Sequence, residues 1–421
     1  MSAAMAALRG IKITVTATVL SKVSSRWLSS KASLSKLEWL LQDVNRFQID
    51  LPVERASTPP ATWYTDPAYH DLELDSVFRA NWLPVGRVDQ VTTPGRYFTG
   101  SIGCLHYVVL HDNNGRLSAF HNVCRHRGML LCREDDGHLP KFSCPYHGWT
   151  YDLSGRLTKA RQLRGIQGFS ARDFGLKPLG LTKWGPLVFI ADELEEAGSE
   201  DTFHGELESL LDRLREYRFT DDWKFVKRTK YTLNCNWKVV CDNILDNGYH
   251  VTATHPEYSK LLDLSTLKTE ILGRSSLCTV ASLNKDGRVS GDVMLAHVYP
   301  NLVINRYGNW MDTNIVVPLS HSKCEIIYDY YLLQEFVDSL QYDATAFENY
   351  VEESLKDSHC LQEEDNLVCE GVQKGLQSIS YDVGRYSPSE EKPDHNFHTN
   401  IAKEFRKYLG RFKTQQRSDT M

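Results

Sequence analysis

The sequence predicts an α+β fold in which a small all-β unit precedes a larger region of mixed strands and helices. Between about residues 83 and 195, short strand-like segments alternate with hairpin-type turns such as Asn113-Asn114-Gly115 and Leu153-Ser154-Gly155. A chain of 421 residues can hold two such domains, each with its own core. In the later region the strand-like stretches are 225–234 and 274–334, and the helical ones are 198–217, 237–251 and 343–377.

Further helices are predicted near the two ends of the chain. Residues 34–47 have the apolar spacing of a short amphipathic helix, the proline-rich residues 50–66 form an extended lead-in, and residues 71–82 are helical. At the other end, a polar loop over 385–396 precedes a terminal helix over 401–412.

The bulk composition excludes several classes of protein. Hydrophobic residues make up 41% of the chain and charged residues 24%, which is typical of globular domains. A net charge of -6 gives no basic footprint for nucleic acid or for an anionic membrane. No run of 18 or more apolar residues occurs, so we expect no membrane span.

The N-terminal segment has the composition of an organelle transit peptide. Its first 37 residues contain no Asp or Glu but carry six Lys and Arg residues among many Ser and Ala. We expect the transit peptide to cover residues 1–32, and the patch at 26–30 favours a mitochondrion over a chloroplast. The alternative is a disordered or helical N-terminal extension.

Two paired clusters of metal-binding residues lie in loops of the all-β unit: Cys124-x-His126 and, after seventeen residues, Cys144-x-x-His147. A zinc finger groups both cysteines first and both histidines second, whereas here each cluster supplies one of each. This pattern is typical of a [2Fe-2S] cluster in which one iron binds both thiolates and the other binds both imidazoles. The sequence therefore predicts an iron–sulfur cluster at these four residues rather than a structural zinc ion.

The remaining cysteines have no partner at ligand spacing. Because the chain has no secretory signal, we expect them to be reduced thiols in a reducing compartment. They are Cys104, Cys132, Cys235, Cys241, Cys278, Cys324, Cys360 and Cys369.

The spacing of the paired clusters and the stretch CPYHGW together resemble the Rieske iron–sulfur domain, over roughly residues 77–195. Such a domain by itself only carries electrons.

A second candidate metal site lies further on, where His250 and His255 are five residues apart. A helix that bulges or ends there can direct both imidazoles at one metal, and two histidines with a distant carboxylate form the facial triad of mononuclear non-haem iron. The alternative is that the two histidines are unrelated.

Beyond the transit segment, the whole chain resembles the Rieske non-haem iron oxygenases, and within them the plant-type choline monooxygenase branch. The stretches that carry the resemblance are ERASTPPATWYTDP, FHNVCRHRG, CPYHGWTYDLSG, WKVVCDNILDNGYHV, INRYGNWMDTN and QEEDNLVCEGVQKGL. The resemblance implies a lead-in at 33–76, a Rieske domain at 77–195, and a catalytic domain at 196–421 with an antiparallel sheet flanked by helices.

The same resemblance implies the ligands of two iron centres. Cys124, His126, Cys144 and His147 would hold the [2Fe-2S] cluster. The mononuclear Fe(II) would be held by His250, His255 and Asp365, and the alternatives to Asp365 are Glu364 and Asp357.

One position departs from the pattern of the family. Many members have an acid three residues before the first iron histidine, which bridges electron transfer from the cluster of a neighbouring subunit. Here that position is Asn247, and the acid lies one residue earlier, at Asp246. Asp246 is therefore the candidate bridge, and Asp242 is a further acid that could orient a ligating imidazole. By analogy with relatives that form rings, we expect a homotrimer.

The resemblance implies an O2-dependent monooxygenase that hydroxylates choline to the hydrate of betaine aldehyde. The chain contains no G-x-G-x-x-G nucleotide-binding segment, so electrons should come from a separate reductase or ferredoxin. Aromatic faces can hold a quaternary ammonium ion. Tyr307 and Trp310, with Asp312 as counter-charge, are the candidate binding residues, and Tyr249 and Tyr331 are weaker ones; the alternative is that these aromatic residues belong to the core.

Two other functions remain open on the sequence. One keeps the iron chemistry but changes the substrate to carnitine, glycine betaine, stachydrine or another methylated amine. The other is an electron-transfer or iron-sensing protein with an inactive catalytic half. Ring-hydroxylating dioxygenase activity is disfavoured because the similarity lies in another branch.

Overall fold

The computed structural model describes residues 31–419, apart from 193–196, 220–221, 285–287 and 341–343. Nearly all of the predicted transit peptide therefore lies outside the described residues. Within the described ranges, none of the helices combines the length and apolar character that crossing a membrane requires. The domain bounds inferred from the sequence stay a prediction.

The lead-in packs against the C-terminal end of the chain. It forms helices α1 (Lys31–Val44), α2 (Thr62–Thr65) and α3 (Pro67–Glu73), and α3 continues as a π-helical turn over Leu74–Phe78. Asp66 caps α3 by accepting a hydrogen bond from the backbone N–H of Ala68 at 2.8 Å. The fully buried rings of Trp63 and Phe405 lie edge to face, 5.1 Å between centroids, so α2 of the lead-in and the C-terminal helix share one core.

The all-β unit predicted from the turn signals is present as three small antiparallel sheets. Their orders are β1-β10-β9, β4-β3-β2-β5 and β6-β7-β8. Gly115 and Gly155 have φ of 73° and 80°, the left-handed conformation that the two predicted turns require. The strands are β1 (Leu83–Arg87), β2 (Arg96–Ile102), β3 (Leu105–His111), β4 (Leu117–His121), β5 (Asp136–His138), β6 (Phe142–Ser143), β7 (Thr150–Tyr151), β8 (Leu157–Lys159), β9 (Gly180–Trp184) and β10 (Leu187–Ala191).

The second half of the chain contains a seven-stranded antiparallel sheet of order β11-β17-β16-β15-β14-β13-β12, with helices packed around it. The predicted α+β fold is therefore confirmed. The elements are α4 (Glu200–Glu216), β11 (Trp223–Leu233), α5 (Trp237–Leu245), α6 (Val251–Thr254), α7 (Pro256–Ser259), β12 (Leu262–Leu272), β13 (Ser275–Ser282), β14 (Asp292–Val298), β15 (Leu302–Tyr307), β16 (Trp310–Ser320), β17 (Lys323–Leu333), α8 (Gln334–Leu340), α9 (Ala344–Leu376) and α10 (Lys392–Asp419).

Several helix predictions differ from the structure. The helix predicted over 71–82 instead covers 67–78, and residues 62–65 of the predicted extended lead-in are helical. The segment predicted helical over 237–251 stops at Leu245, because the chain turns at Asn247 with a φ of 57°. The terminal helix begins at Lys392 rather than at residue 401. Pro393 explains this earlier start, since a proline near the start of a helix needs no N–H partner and presets φ.

Successive side chains along a strand point to opposite faces of the large sheet, and the two faces differ in what they contact. On β15, Val303, Asn305 and Tyr307 line a cavity, while Ile304 belongs to the main core on the opposite side. The all-β unit joins the sheet through a buried ion pair in which Arg87 Nη1 lies 3.0 Å from an Asp329 carboxylate oxygen. Because Arg228 also donates two hydrogen bonds to Asp329, at 2.7 and 2.6 Å, that carboxylate is compensated on both sides.

Candidate iron centres and substrate cavity

The two cysteine–histidine loops have the same backbone construction. In each loop the cysteine carbonyl accepts a hydrogen bond of 3.0 Å from the glycine four residues later, Gly128 in one and Gly148 in the other. Both glycines have a left-handed φ, 72° and 69°. The paired spacing in the sequence therefore corresponds to two equivalent tight turns that present their side chains to each other.

The cysteine side of this group is buried and the histidine side reaches the surface. Cys124 and Cys144 are 2% and 3% exposed, whereas the Nδ1 atoms of His126 and His147 approach to 3.1 Å at the exposed end. Two converging imidazole nitrogens and two buried thiols are the donor set of a cluster with one thiolate-bound and one imidazole-bound iron. These four residues could hold such a cluster.

Neighbouring side chains fix the orientation of the donors. The Trp149 indole stacks on the His126 ring at 4.9 Å with an interplanar angle of 8°. The Tyr151 hydroxyl lies 3.4 Å from the Cys124 sulfur and accepts a hydrogen bond from the Arg125 amide at 3.0 Å. Hydrogen bonds to cluster sulfurs tune the reduction potential, so Tyr151 is in a position to do so.

The second candidate site is built on an interrupted helix. After α5 ends, Asn247 adopts a left-handed φ of 57°, and His250 is the N-cap of the short helix α6. His255 separates α6 from α7, with φ and ψ of -120° and 61°, and Pro256 follows it as the first residue of α7. The break brings together two histidines that an unbroken helix would direct slightly apart.

The structure brings His250, His255 and Asp365 together. One ligand atom from each of the three lies within 4.8 Å of the other two. Asp365 Oδ1 is 2.9 Å from His255 Nε2 and 3.6 Å from His250 Nε2. Two imidazole nitrogens and one carboxylate oxygen converging on one point fit a facial triad of mononuclear iron.

The outer nitrogens of both imidazoles bind carboxylates. His250 Nδ1 is 2.5 Å from Asp246 Oδ1, and His255 Nδ1 is 2.6 Å from Glu364 Oε2. Burial acts to lower the pKa of His255, but the hydrogen bonds with Asp365 and Glu364 outweigh it and raise the pKa. Each carboxylate selects the tautomer that leaves Nε2 free for a metal.

The other candidate acids lie elsewhere. Asp357 is exposed on α9 and is not part of the group. Asp242 accepts a hydrogen bond from the Tyr64 hydroxyl at 2.8 Å and lies 3.0 Å from His398 Nε2, so it connects the lead-in, α5 and α10. Glu364, an alternative third ligand on the sequence, lies instead behind His255.

A cavity of about 200 Å³ opens beside the three converging residues. Its walls are apolar side chains of the large sheet together with the rings of Tyr258, Tyr307 and Tyr328. Asn247 also lines it, and its buried Nδ2 has no hydrogen-bond partner in the described part of the chain. An apolar cavity with a few converging polar groups is the usual form of a small-molecule site.

Tyr307 and Asp312 line this cavity, as a substrate-binding role requires, but Trp310 does not. Trp310 is fully buried, stacks on Tyr350 and donates its indole N–H to the Tyr350 hydroxyl at 2.9 Å.

The two weaker candidates for substrate binding also lie away from the cavity. Tyr249 is 57% exposed, and Tyr331 packs beside Phe225.

Sequence reasoning missed three cavity residues: Tyr258, Tyr328 and Arg288. For Tyr328 a signal was available, because residues 328 and 330 of β17 share the face opposite to Tyr331. Tyr258 follows His255 by three residues and could have been found as its neighbour on a short helix. Arg288 lies in the loop between β13 and β14, and nothing in its sequence context marks it.

Comparison with known protein families finds a match to one family in the first half of the chain and a match to a second family in the second half. The family described as Rieske [2Fe-2S] domain matches residues 81–170. The family described as ring hydroxylating alpha subunit (catalytic domain) matches residues 220–290 and 279–406. The fold and the two ligand groups thus define the class of protein, a Rieske non-haem iron oxygenase.

Individual relatives are similar over most of the chain. The choline monooxygenase, chloroplastic, of Arabidopsis thaliana is 41% identical over 390 residues, 90% of each chain. That of Spinacia oleracea is 36% identical over 92% of this chain and 86% of its own. The glycine betaine monooxygenase oxygenase subunit of Chromohalobacter salexigens is 37% identical over 47% of this chain and 43% of its own.

The fold also matches solved structures. The quaternary ammonium Rieske monooxygenase CntA superposes with a TM-score of 0.73 at 24% identity, covering 84% of this chain and 96% of that one. The chain belongs to the choline monooxygenase family of Rieske non-haem iron oxygenases. The cofactors of this class are a Rieske [2Fe-2S] cluster and a mononuclear iron, and enzymes of the class need a small-molecule substrate and an electron donor.

Proposed function

We propose that this monooxygenase hydroxylates a quaternary ammonium compound, and that choline, converted to the hydrate of betaine aldehyde, is the first candidate substrate. The observation that carries the proposal is the position of His250, His255 and Asp365 at the wall of a cavity with three tyrosine rings. Support for choline comes from the relatives, since those with 36–41% identity over most of the chain are choline monooxygenases.

The geometry of the two donor groups supports an assignment of residues to the two iron centres. We assign Cys124, His126, Cys144 and His147 to the cluster, and His250, His255 and Asp365 to the mononuclear iron. When bound, the cluster supplies electrons one at a time and the mononuclear iron activates O2. The electron-transfer alternative needs an inactive catalytic half, and the converging triad argues against it.

The protein's own residues perform three tasks in this scheme. Asp246 and Glu364 hold the outer nitrogens of the two ligating imidazoles, which keeps their Nε2 atoms turned inward. The apolar walls exclude water from the reacting carbon. The faces of Tyr258 and Tyr328 can attract a trimethylammonium group, by about 0.5–2 kcal/mol for each ring.

The exposed end of the cluster site supports our proposals for the electron donor and for the assembly. His126 is exposed, and the side chain of Tyr146 next to His147 is also at the surface. An imidazole end open to the surface can meet a separate reductase or ferredoxin, and can face the mononuclear site of a neighbouring copy in a homotrimer. Asp246, the candidate bridge, already bonds to His250.

An organelle location is supported by the relatives, which are described as chloroplastic. They favour the chloroplast over the mitochondrion that residues 26–30 suggested. The sequence signal separates the two organelles poorly because the basic, serine-rich composition of transit peptides is shared by both.

A single-turnover reaction tests the proposed function. Purified protein loaded with iron is reduced without oxygen, mixed with choline, exposed to O2 and assayed by mass spectrometry. We expect betaine aldehyde from the wild type and none from His250→Ala. Product from L-carnitine or glycine betaine but not from choline would keep the class and replace the substrate, and absence of product from every quaternary ammonium compound would reject the proposal.

A further inference from the structure

Arg288 is the single arginine among the described residues that line the cavity, and no lysine accompanies it. It lies in the loop between β13 and β14 and reaches over the sheet. Its Nη2 donates a hydrogen bond to the Tyr307 hydroxyl at 2.6 Å. Its guanidinium carbon is 4.8 Å from the centroid of the Tyr307 ring and 5.9 Å from that of Trp310. A cation has therefore been placed in a cavity whose walls are mainly apolar.

The hydrogen-bonding capacity of Arg288 is not used up by the described residues. A guanidinium has five N–H donors, and its buried Nε has no partner in the described part of the chain. Asp312 lies beyond the Tyr307 hydroxyl: its Oδ2 accepts from Tyr307 at 2.5 Å and its Oδ1 from Asn305 at 2.8 Å, and among the hydrogen bonds of the described residues Arg288 connects to it only through that hydroxyl. Buried donors left without acceptors are costly. Arg213, Arg306 and Arg406 also have an unpartnered Nε among the described residues, but of the four Arg288 alone lines the cavity, where a ligand can supply the acceptor.

A purely supporting role for Arg288 explains less of this arrangement. One hydrogen bond to Tyr307 would hold that ring, and an uncharged donor could make it equally well. Asp312 compensates Arg288 in part through the shared Tyr307 hydroxyl, but a bound trimethylammonium group adds a second cation, which is electrostatically unfavourable unless a further anion lies near. A carboxylate supplies that anion and matches the planar, forked geometry of a guanidinium.

We propose that Arg288 is the specificity-determining residue of this cavity and binds the carboxylate of a zwitterionic quaternary ammonium substrate. The proposal rests on the proposed function, because it concerns the same cavity and the same class of compound. The carboxylate binds Arg288, and the trimethylammonium group is left to the faces of Tyr258 and Tyr328. Glycine betaine and L-carnitine have this chemistry, and choline has only the ammonium half of it.

The test compares ligands that differ only in the carboxylate. Binding of L-carnitine, of its uncharged amide and of choline to oxidised, iron-loaded protein is measured by titration calorimetry, and the comparison is repeated with glycine betaine and its amide. We expect the wild type to bind each carboxylate roughly tenfold or more tightly than its amide, as a charge-assisted hydrogen bond implies. In Arg288→Gln the carboxylate and the amide should bind alike.

Arg306→Gln is the matched control. Arg306 precedes Tyr307 on β15, so its side chain leaves the opposite face of the sheet and is not part of the cavity lining. This variant should keep the preference for the carboxylate. Because the wild-type comparison needs no substitution, equal binding of carboxylate and amide there overturns the role of Arg288 even if Arg288→Gln fails to fold.

The other possible results would overturn either the role of Arg288 alone or both that role and the proposed function. Equal binding of carboxylate and amide by the wild type, or an unchanged preference in Arg288→Gln, overturns the role of Arg288. If choline is bound and oxidised while the carboxylates are not bound, the role of Arg288 falls and the proposed function stands. If no quaternary ammonium compound binds or reacts, both fall.

Discussion

At the scale of single residues, the contact between Asp246 and His250 has the most direct consequence for the mononuclear site. The carboxylate holds Nδ1 of the ring at 2.5 Å, and Nε2 of the same ring faces Asp365. A ligating histidine whose outer nitrogen loses its partner can rotate and change tautomer. Asp246 is thus a positioning residue of the metal site, whether or not it also bridges electron transfer.

Asp246→Ala should weaken binding of the mononuclear iron by about 10–100-fold, because it removes the partner of His250 Nδ1. Asp246→Asn keeps an acceptor oxygen and should show a smaller loss. Iron per chain after dialysis against a chelator measures the effect, and the optical spectrum of the Rieske cluster should remain unchanged. Glu257→Gln, an exposed change on α7, is the control; equal iron retention by Asp246→Ala and this control would contradict the role.

Site residues that lie close together in the sequence could be predicted from their spacing. Site residues that meet only in the folded structure could not be predicted. The two Cys-His pairs and the pair His250–His255 are local patterns with a chemical meaning. The contact between His255 and Glu364 spans 109 positions, and Arg288 reaches the cavity from a loop, so neither leaves a local pattern. Trp310 shows the converse error, since it lies on the same strand as Asp312 but is covered by Tyr350.

At the scale of elements, the break after α5 determines where the first iron histidine lies. Asn247 occupies the left-handed region, with a φ of 57°, and asparagine is one of the few residues with a side chain that tolerates it. If the helix continued through this position, His250 and His255 would not converge as they do. The backbone at Asn247 is therefore as important to the site as its side chain.

Asn247→Gly should retain the mononuclear iron, whereas Asn247→Val should lose it and destabilise the protein by about 1–3 kcal/mol, because a β-branched residue is strained at this φ. Thermal unfolding and iron content measure the two effects. Gln162 has a similar φ of 54° in an exposed loop outside the cavity lining. Gln162→Val should cost stability but keep the mononuclear iron, and iron loss in both valine variants would show that strain alone is responsible.

Element types were predictable where the periodicity was clear, as for α9, expected over 343–377 and observed over Ala344–Leu376. Element ends were less predictable, because caps and tertiary contacts decide them. The order of the large sheet was also beyond the sequence: β11 pairs with β17 across about a hundred residues, although β12 to β17 follow one another as neighbours.

At the scale of the whole molecule, lead-in, sheet and C-terminal helix meet in one core. His297 of β14 is part of it, 1% exposed, with its ring 5.5 Å from that of Phe397 on α10. Burial lowers the pKa of His297 to about 4. The neutral imidazole is thus required for this junction between the sheet and the terminal helix.

The junction should make stability depend on pH. Above about pH 6.5 the imidazole is neutral in both the folded and the unfolded state. As the pH falls from about 6.5 to about 4, only the unfolded state binds the proton, so the free energy of unfolding falls by about 3 kcal/mol. The unfolding temperature of the wild type should therefore fall over this range.

His297→Gln should show a smaller fall in unfolding temperature between pH 6.5 and pH 4, whatever its stability at pH 7. The exposed His138 provides the control, and His138→Gln should show the full fall. A pH profile of His297→Gln parallel to that of the wild type would contradict the role of this buried ring.

The coupling between the two iron centres tests the central claim most directly. Protein with a reduced Rieske cluster is mixed with O2 and a quaternary ammonium substrate, and the cluster spectrum and the product are followed together. We predict that the wild type oxidises its cluster as product forms, and that Asp365→Ala, which keeps the cluster, forms no product and stays reduced much longer. Equal product and equal cluster oxidation in Asp365→Ala would contradict a mononuclear iron site at His250, His255 and Asp365.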